Sequence, residues 1–143
     1  MNDKWGRRIF LAGAVWLLLL GCVHSLSLLV QQVPANDTEK QLLDLMTSYK
    51  LNLMGTLRSM DELFRGFSIA FMLAAFGFGG LDLAMAGERS ALLKRVALVN
   101  VLWLATMTAV SLRYFFALPT SFLAVALVIF VAAWWKLPGQ EPS

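Results

Sequence analysis

Four long apolar runs dominate the pattern of hydrophobic and polar positions along this chain. They cover residues 9–30 and about 61–86, 91–116 and 120–135. At 1.5 Å per residue of helix, the first run is long enough to cross a hydrocarbon layer of about 30 Å. The short connections between the last three runs make them antiparallel neighbours. The pattern therefore predicts an all-α fold, a four-helix transmembrane bundle that forms a single membrane domain over residues 1–143.

In the connection between the first two runs, apolar residues are spaced periodically rather than continuously. Apolar residues recur there at three- and four-residue spacing between residues 38 and 54, and charged residues occupy other positions: the apolar set is Leu42, Leu45, Met46, Tyr49 and Leu53. This spacing predicts an amphipathic helix over about 38–54, which Gly55 ends or bends. We expect it to lie on the membrane or over the mouth of the bundle.

Composition supports the membrane class. Of the 143 residues, 59% are hydrophobic and 15% are charged, and the mean hydropathy is +0.68. A soluble domain has about half its residues apolar and about a quarter charged. The formal charge of +3 is carried by basic residues that flank the apolar runs, without a basic patch of interleaved aromatics. Basic residues in these positions are explained by the orientation of membrane spans, and nucleic acid is not an expected partner.

The distribution of Lys and Arg predicts the orientation. Seven of them lie at the N-terminus, in the second connection and in the tail: Lys4, Arg7, Arg8, Arg89, Lys94, Arg95 and Lys136. Five lie on the other side: Lys40, Lys50, Arg58, Arg65 and Arg113. The positive-inside rule then places both termini in the cytoplasm, with Trp5, Trp134 and Trp135 in an inner aromatic belt.

The single cysteine leaves one alternative for the first run. Leu19-Leu20-Gly21-Cys22 resembles a lipoprotein cleavage box behind a basic head, which would make the run a signal peptide with a lipidated Cys22. The apolar run continues well past Cys22, which favours a membrane helix in which Cys22 is a small interface residue. One cysteine excludes an internal disulfide and any multi-cysteine metal motif.

The stretch from Arg58 to Ser68, R-S-M-D-E-L-F-R-G-F-S, joins the outer connection to the second run. Ser59 followed by Glu62 is a capping box, which predicts a helix start at this point. Asp61 and Arg65 are four residues apart and can form an ion pair on one helix face. Arg65 also falls at the boundary of the apolar run, where a charge is costly unless it is paired, snorkels or lines a cavity.

Antiparallel packing of the spans would bring several of these groups to one depth in the outer leaflet. The predicted outer cluster contains His24, Arg58, Asp61, Glu62, Arg65 and Arg113. On the structural interpretation its carboxylates pair with the arginines and hold the helices together. On the functional interpretation two guanidinium groups hold an anionic lipid phosphate or carboxylate, and His24 acts as an acid or base.

A smaller inner polar group is predicted on the cytoplasmic side, formed by Asp82, Lys94, Arg95 and Asn100. We expect Asp82 to pair with a basic residue there. The sequence contains no phosphate-binding glycine loop, no HExxH motif and no histidine pair suited to haem, so neither a metal nor a cofactor is predicted.

Several of these features together resemble a known group of proteins. The first helix with His24, the amphipathic segment, the motif at 58–68 and L-R-Y-F-F at 112–116 are similar to a group of small bacterial four-helix integral membrane proteins, over most of the chain. The resemblance implies the fold and a bacterial cytoplasmic membrane, and it implies no reaction. The layout is more distantly similar to four-helix sterol-isomerase-type membrane domains, but no catalytic residue matches theirs.

Three functional hypotheses follow, and whether the chain is an enzyme stays open. The leading one is a non-catalytic integral membrane protein, an accessory or lipid-binding unit. The alternative is a small membrane enzyme that acts on a lipid or isoprenoid at the outer cluster. The third is a small dimeric transporter, which is disfavoured because the first span has no membrane-embedded carboxylate. Expected partners are membrane lipids and either another membrane protein or a second copy of the chain.

Overall fold

The computed structural model describes residues 2–30 and 32–139. Its elements, in chain order, are α1 (Asn2–Ser27), α2 (Asp37–Ser48), β1 (Leu51–Leu53), β2 (Thr56–Arg58), α3 (Met60–Met85), α4 (Ser90–Tyr114) and α5 (Ala117–Lys136). The all-α fold class is confirmed. Each of α1, α3, α4 and α5 is long and apolar enough to cross a membrane.

Two helix boundaries differ from the predicted spans in an informative way. α1 begins at Asn2, so the charged head at residues 2–8 is the first part of the same helix rather than an extension before it. α5 begins at Ala117, three residues before the predicted span, with Pro119 in its first turn. The first turn of a helix tolerates proline because its N–H groups have no intrahelical acceptor.

The outer connection is only partly helical, and the helix predicted over 38–54 is wrong from residue 49 onward. α2 ends at Ser48, and β1 and β2 form an antiparallel hairpin in which Leu53 faces Thr56. The two residues of its loop, Met54 and Gly55, have φ values of +52° and +89°. Positive φ at both central positions is the signature of a type I′ turn, whose twist matches that of the paired strands.

The chain divides into two compact units. The first, which we call the bundle unit, contains Met1–Leu20 and Ala75–Ser143 and therefore includes parts of α1 and α3 with all of α4 and α5. The second, the connecting unit, is Gly21–Ala74 and includes the end of α1, α2, the hairpin and the start of α3.

Large aromatic side chains join neighbouring helices within the bundle unit. Phe10 of α1 meets Phe130 of α5 edge to face, with ring centroids 5.7 Å apart, and both rings are fully buried. Phe78 of α3 stacks on Trp103 of α4 at 4.4 Å. Such pairs contribute about 0.5–1.5 kcal/mol beyond the area that they bury. They fix which helices are neighbours.

Glycines allow two closer approaches in the bundle unit. A Cβ added at Gly79 of α3 would lie 3.0 Å from the carbonyl oxygen of Ala14 in α1, and one added at Gly13 of α1 would lie 2.8 Å from the ring of Phe130. Helices that are already in lipid associate largely through close packing of this kind, because bringing them together removes no apolar surface from water. The small residues therefore set the α1–α3 and α1–α5 distances.

Candidate functional site

The capping box at the start of α3 is confirmed. The backbone N–H of Ser59 donates to Oε2 of Glu62 at 2.7 Å, and the N–H of Glu62 donates to Oγ of Ser59 at 3.2 Å. Ser59 is buried. These two bonds satisfy donors that the first turn of a helix otherwise leaves free. They turn the chain from β2 into α3.

Glu62 has a partner that the sequence did not indicate. Lys50, in the segment between α2 and β1, donates from Nζ to Oε2 of Glu62 at 3.0 Å. The hairpin makes this contact possible, because it returns the chain to a point close to Lys50 twelve residues later. Gly55 marks a turn between two short apolar segments, but Met54 is not among the residues that favour a type I′ hairpin, so the local sequence predicted neither the hairpin nor this ion pair.

This ion pair does not include Asp61, Arg65 or His24, which are also predicted members of the outer cluster in the connecting unit. Asp61 and Arg65 are both exposed, and neither belongs to an ion pair among residues 2–30 and 32–139. The ring of His24 packs edge-on against Phe71, with centroids 5.0 Å apart. The hydrogen bonds of the described residues join His24 to no carboxylate. His24 is therefore an aromatic packing partner in this geometry.

Arg113, the sixth predicted member, belongs to the bundle unit. Its guanidinium carbon lies 5.3 Å from the ring centroid of Tyr114, its neighbour at the end of α4. A guanidinium at this distance from an aromatic face is attracted to it at an exposed site by about 0.5–1 kcal/mol.

Arg58 and Glu62 do share a feature of the surface. Together with an apolar floor, they line a shallow groove of about 400 Å³ along the first turns of α3: the lining residues are Arg58, Glu62, Leu63, Gly66, Phe67 and Ala70. The Nη1 atom of Arg58 donates to the carbonyl oxygen of Leu57 at 3.0 Å, and no carboxylate of the described chain lies within ion-pair distance of this guanidinium. The groove is the candidate binding site of the connecting unit.

The predicted inner polar group separates into two parts in the bundle unit. Asp82 and Asn100 are fully buried and hydrogen-bonded to each other, so the expected basic partner of Asp82 is replaced by an amide. Lys94 instead donates to the carbonyl oxygen of Leu137 at 2.9 Å, just beyond the end of α5. Arg95 is exposed.

A polar contact near the start of α1 has no counterpart among the residues predicted from the sequence. Nη2 of Arg7 donates to Oγ of Ser90 at 3.0 Å, Nη1 donates to the carbonyl oxygen of Ala86 at 3.4 Å, and Oγ of Ser90 donates to Asp3. Arg7 and Asp3 also form an ion pair at 3.5 Å. The contact connects the start of α1 to the turn between α3 and α4. Only the tertiary fold brings these positions together, so the sequence carries no local signal for it.

In the described chain, no group of three or more His, Cys, Asp or Glu side chains is placed to hold a metal ion. Cys22 is a free, exposed thiol. Comparison of the chain with protein-family models, with curated proteins and with solved structures found no match. The similarity to small bacterial four-helix proteins therefore stays a prediction, and four helices able to cross a membrane are its supported part.

Proposed function

We propose that this chain is a non-catalytic integral membrane protein whose connecting unit binds lipid at the membrane surface. The observation that carries the proposal is the apolar face of α2. Leu42 and Leu45 of α2 are 56% and 58% exposed, Tyr49 at its C-cap is 60% exposed, and no residue of α2 is buried. Three large apolar side chains left in water would be costly, whereas the interface between headgroups and acyl chains accepts them.

The arrangement of α2 supports a helix that lies flat on the bilayer. Leu42 and Leu45 lie on one side of the helix and Tyr49 follows at the C-cap, while Lys40 and Asp44 occupy the other side. Asn36 accepts a hydrogen bond from the backbone N–H of Glu39 at 2.9 Å, which fixes the start of the helix. An amphipathic helix next to a membrane span needs little further ordering to reach the interface.

The cation–tryptophan pairs of the bundle unit support the proposed orientation, with both termini in the cytoplasm of a bacterial cell. The guanidinium of Arg8 lies 5.8 Å from the ring centroid of Trp5, and Nζ of Lys94 lies 5.6 Å from that of Trp134. Tryptophans concentrate at the headgroup level, and basic residues are in excess on the cytoplasmic side. The connecting unit then faces the outer leaflet.

Depth measurements on α2 test the proposal. In a Cys22→Ser background, single variants Leu45→Cys and Asp44→Cys are labelled with an environment-sensitive fluorophore and reconstituted in nanodiscs that contain brominated lipids. We expect a blue-shifted, strongly quenched probe at position 45 and a water-exposed one at position 44. Equal, water-like emission from both positions would show that α2 does not contact lipid and would overturn the proposal.

A further inference from the structure

We propose that the groove along the start of α3 is a binding site for a zwitterionic phospholipid with a primary ammonium group. In this complex the guanidinium of Arg58 holds the phosphate, Glu62 accepts a hydrogen bond from the ammonium group, and an acyl chain lies along Gly66 and Ala70. The inference rests on the proposed function, since it requires the connecting unit to face lipid.

The charged rim of the groove consists of Arg58 and Glu62, and Lys50, which does not line the groove, is paired with Glu62 at 3.0 Å. The side chain of Arg58 uses Nη1 for the carbonyl oxygen of Leu57 and has four further N–H donors. A guanidinium presents paired donors that match two phosphate oxygens, which makes arginine well suited to this ligand. The phosphate contact is therefore assigned to Arg58.

Glu62 has one carboxylate oxygen left for a ligand. Both of its hydrogen bonds from the described residues, from Ser59 N–H and from Lys50 Nζ, go to Oε2. Oε1 accepts none of the hydrogen bonds in the described chain, and its side chain is 44% exposed. A carboxylate fixed in this way, beside a phosphate-binding guanidinium, fits a ligand that carries its positive charge close to its phosphate.

The apolar floor extends from this rim into the candidate span. Gly66, Phe67 and Ala70 lie within the first three turns of α3, which is itself a candidate membrane span. At Gly66 nothing lies within 4 Å of the position that a Cβ would take, so the groove is open along the helix backbone. With the rim at headgroup level, an acyl chain on this floor lies in the hydrocarbon layer, as in any phospholipid.

The rim also selects among headgroups. A phosphatidylglycerol headgroup brings a phosphate but no cation, so Oε1 of Glu62 gains no hydrogen-bond donor from it. A phosphatidylcholine headgroup has a quaternary ammonium, which cannot donate a hydrogen bond to Glu62. A phosphatidylethanolamine headgroup has both the phosphate and a hydrogen-bonding ammonium, and it is the occupant that satisfies both sides of the rim.

Native mass spectrometry of the full chain tests the site. The protein is delipidated in detergent and titrated with dioleoyl phosphatidylethanolamine, phosphatidylcholine or phosphatidylglycerol. We expect one phosphatidylethanolamine molecule to bind about tenfold more tightly than either other lipid, which corresponds to the ~1.4 kcal/mol expected of one charge-assisted hydrogen bond. Equal affinity for the three lipids would overturn the proposal.

Four variants locate the bound lipid. Arg58→Gln should weaken phosphatidylethanolamine binding about tenfold, on the same basis of one lost charge-assisted contact. Glu62→Gln keeps the helix cap, because glutamine also serves in a capping box, and should remove the preference over phosphatidylcholine. Gly66→Leu fills the groove and should abolish binding. Gly77→Leu is the matched control, since its Cβ position on α3 is equally open and Gly77 does not line the groove.

The variants and the depth probes separate the two proposals. If Gly66→Leu binds as wild type does, or if Gly77→Leu loses binding equally, the lipid does not occupy this groove and the inference is wrong. A lipid-embedded probe at position 45 together with such a result would leave the proposed function standing. A water-exposed probe at position 45 would overturn the proposed function itself.

Discussion

Asn100 of α4 holds the carboxyl group of Asp82 of α3 through a single side-chain nitrogen. Nδ2 lies 3.0 Å from both Oδ1 and Oδ2 of Asp82, and its second hydrogen is directed to the carbonyl oxygen of Val96 at 3.3 Å. Oδ1 of Asn100 is buried and has no hydrogen-bond partner among the described residues. The pair therefore connects two candidate membrane helices through one donor nitrogen, Nδ2 of Asn100, which contacts both oxygens of Asp82.

We therefore expect Asn100→Leu to destabilise the protein by about 1–3 kcal/mol, because it leaves the Asp82 carboxyl buried without a donor. The double variant Asp82→Leu with Asn100→Leu should be more stable than Asn100→Leu alone, since both polar groups are then gone. Unfolding in mixed micelles with increasing sodium dodecyl sulfate gives the free energies. A double variant less stable than Asn100→Leu would contradict this account.

Adjacent glycines of α3 should respond in opposite ways to the same substitution. Gly79→Ala places a Cβ 3.0 Å from the backbone oxygen of Ala14, which cannot move without shifting α1, so we expect a loss of about 1–3 kcal/mol. At Gly80 the same Cβ meets nothing within 4 Å. Gly80→Ala should be neutral or stabilise the helix by up to about 1 kcal/mol. Thermal unfolding midpoints of the two variants provide the comparison, and equal midpoints would show that α1 does not approach α3 at Gly79.

Two neighbouring arginines of α1 offer a similar comparison. Arg7→Met removes the hydrogen bonds to Ser90 and Ala86, and we expect a loss of about 1–2 kcal/mol because these bonds are only partly exposed. Arg8→Met removes only the exposed contact with Trp5 and should cost less than about 1 kcal/mol. The free energy of unfolding measures both. A larger loss for Arg8→Met would show that the contact between α1 and Ser90 contributes little.

The hairpin turn of the connecting unit should be improved by one exposed substitution. Met54→Asn creates an Asn-Gly turn, the favoured sequence for a type I′ hairpin, and Met54 is fully exposed, so no packing is lost. Gly55→Ala should weaken the hairpin by about 1–2 kcal/mol, because alanine is strained at a φ of +89°.

Amide hydrogen exchange of peptides that cover 49–60 reports this local effect directly. We expect slower exchange for Met54→Asn and faster exchange for Gly55→Ala, with peptides of α4 unchanged in both. Exchange that rises for Met54→Asn would rule out the type I′ turn.

Part of the candidate site followed from local sequence and part did not. The Ser59–Glu62 capping box was predictable because a cap is a contact over three residues within one turn. The partner of Glu62 was not, because Lys50 reaches it only through the hairpin. The possible Asp61–Arg65 pair had the correct spacing, but spacing only permits an ion pair between exposed side chains, and such pairs contribute little.

The sequence by itself determined the class of the protein, the approximate positions of four candidate membrane spans and the start of α3. These features depend on length, apolar content and short-range contacts, which add up residue by residue along the chain. The tertiary structure decided the partner of Asp82, the Arg7–Ser90 contact and the close approach at Gly79. Each of these joins residues distant in sequence, and their pairing depends on how helices rotate and pack, which no local pattern specifies.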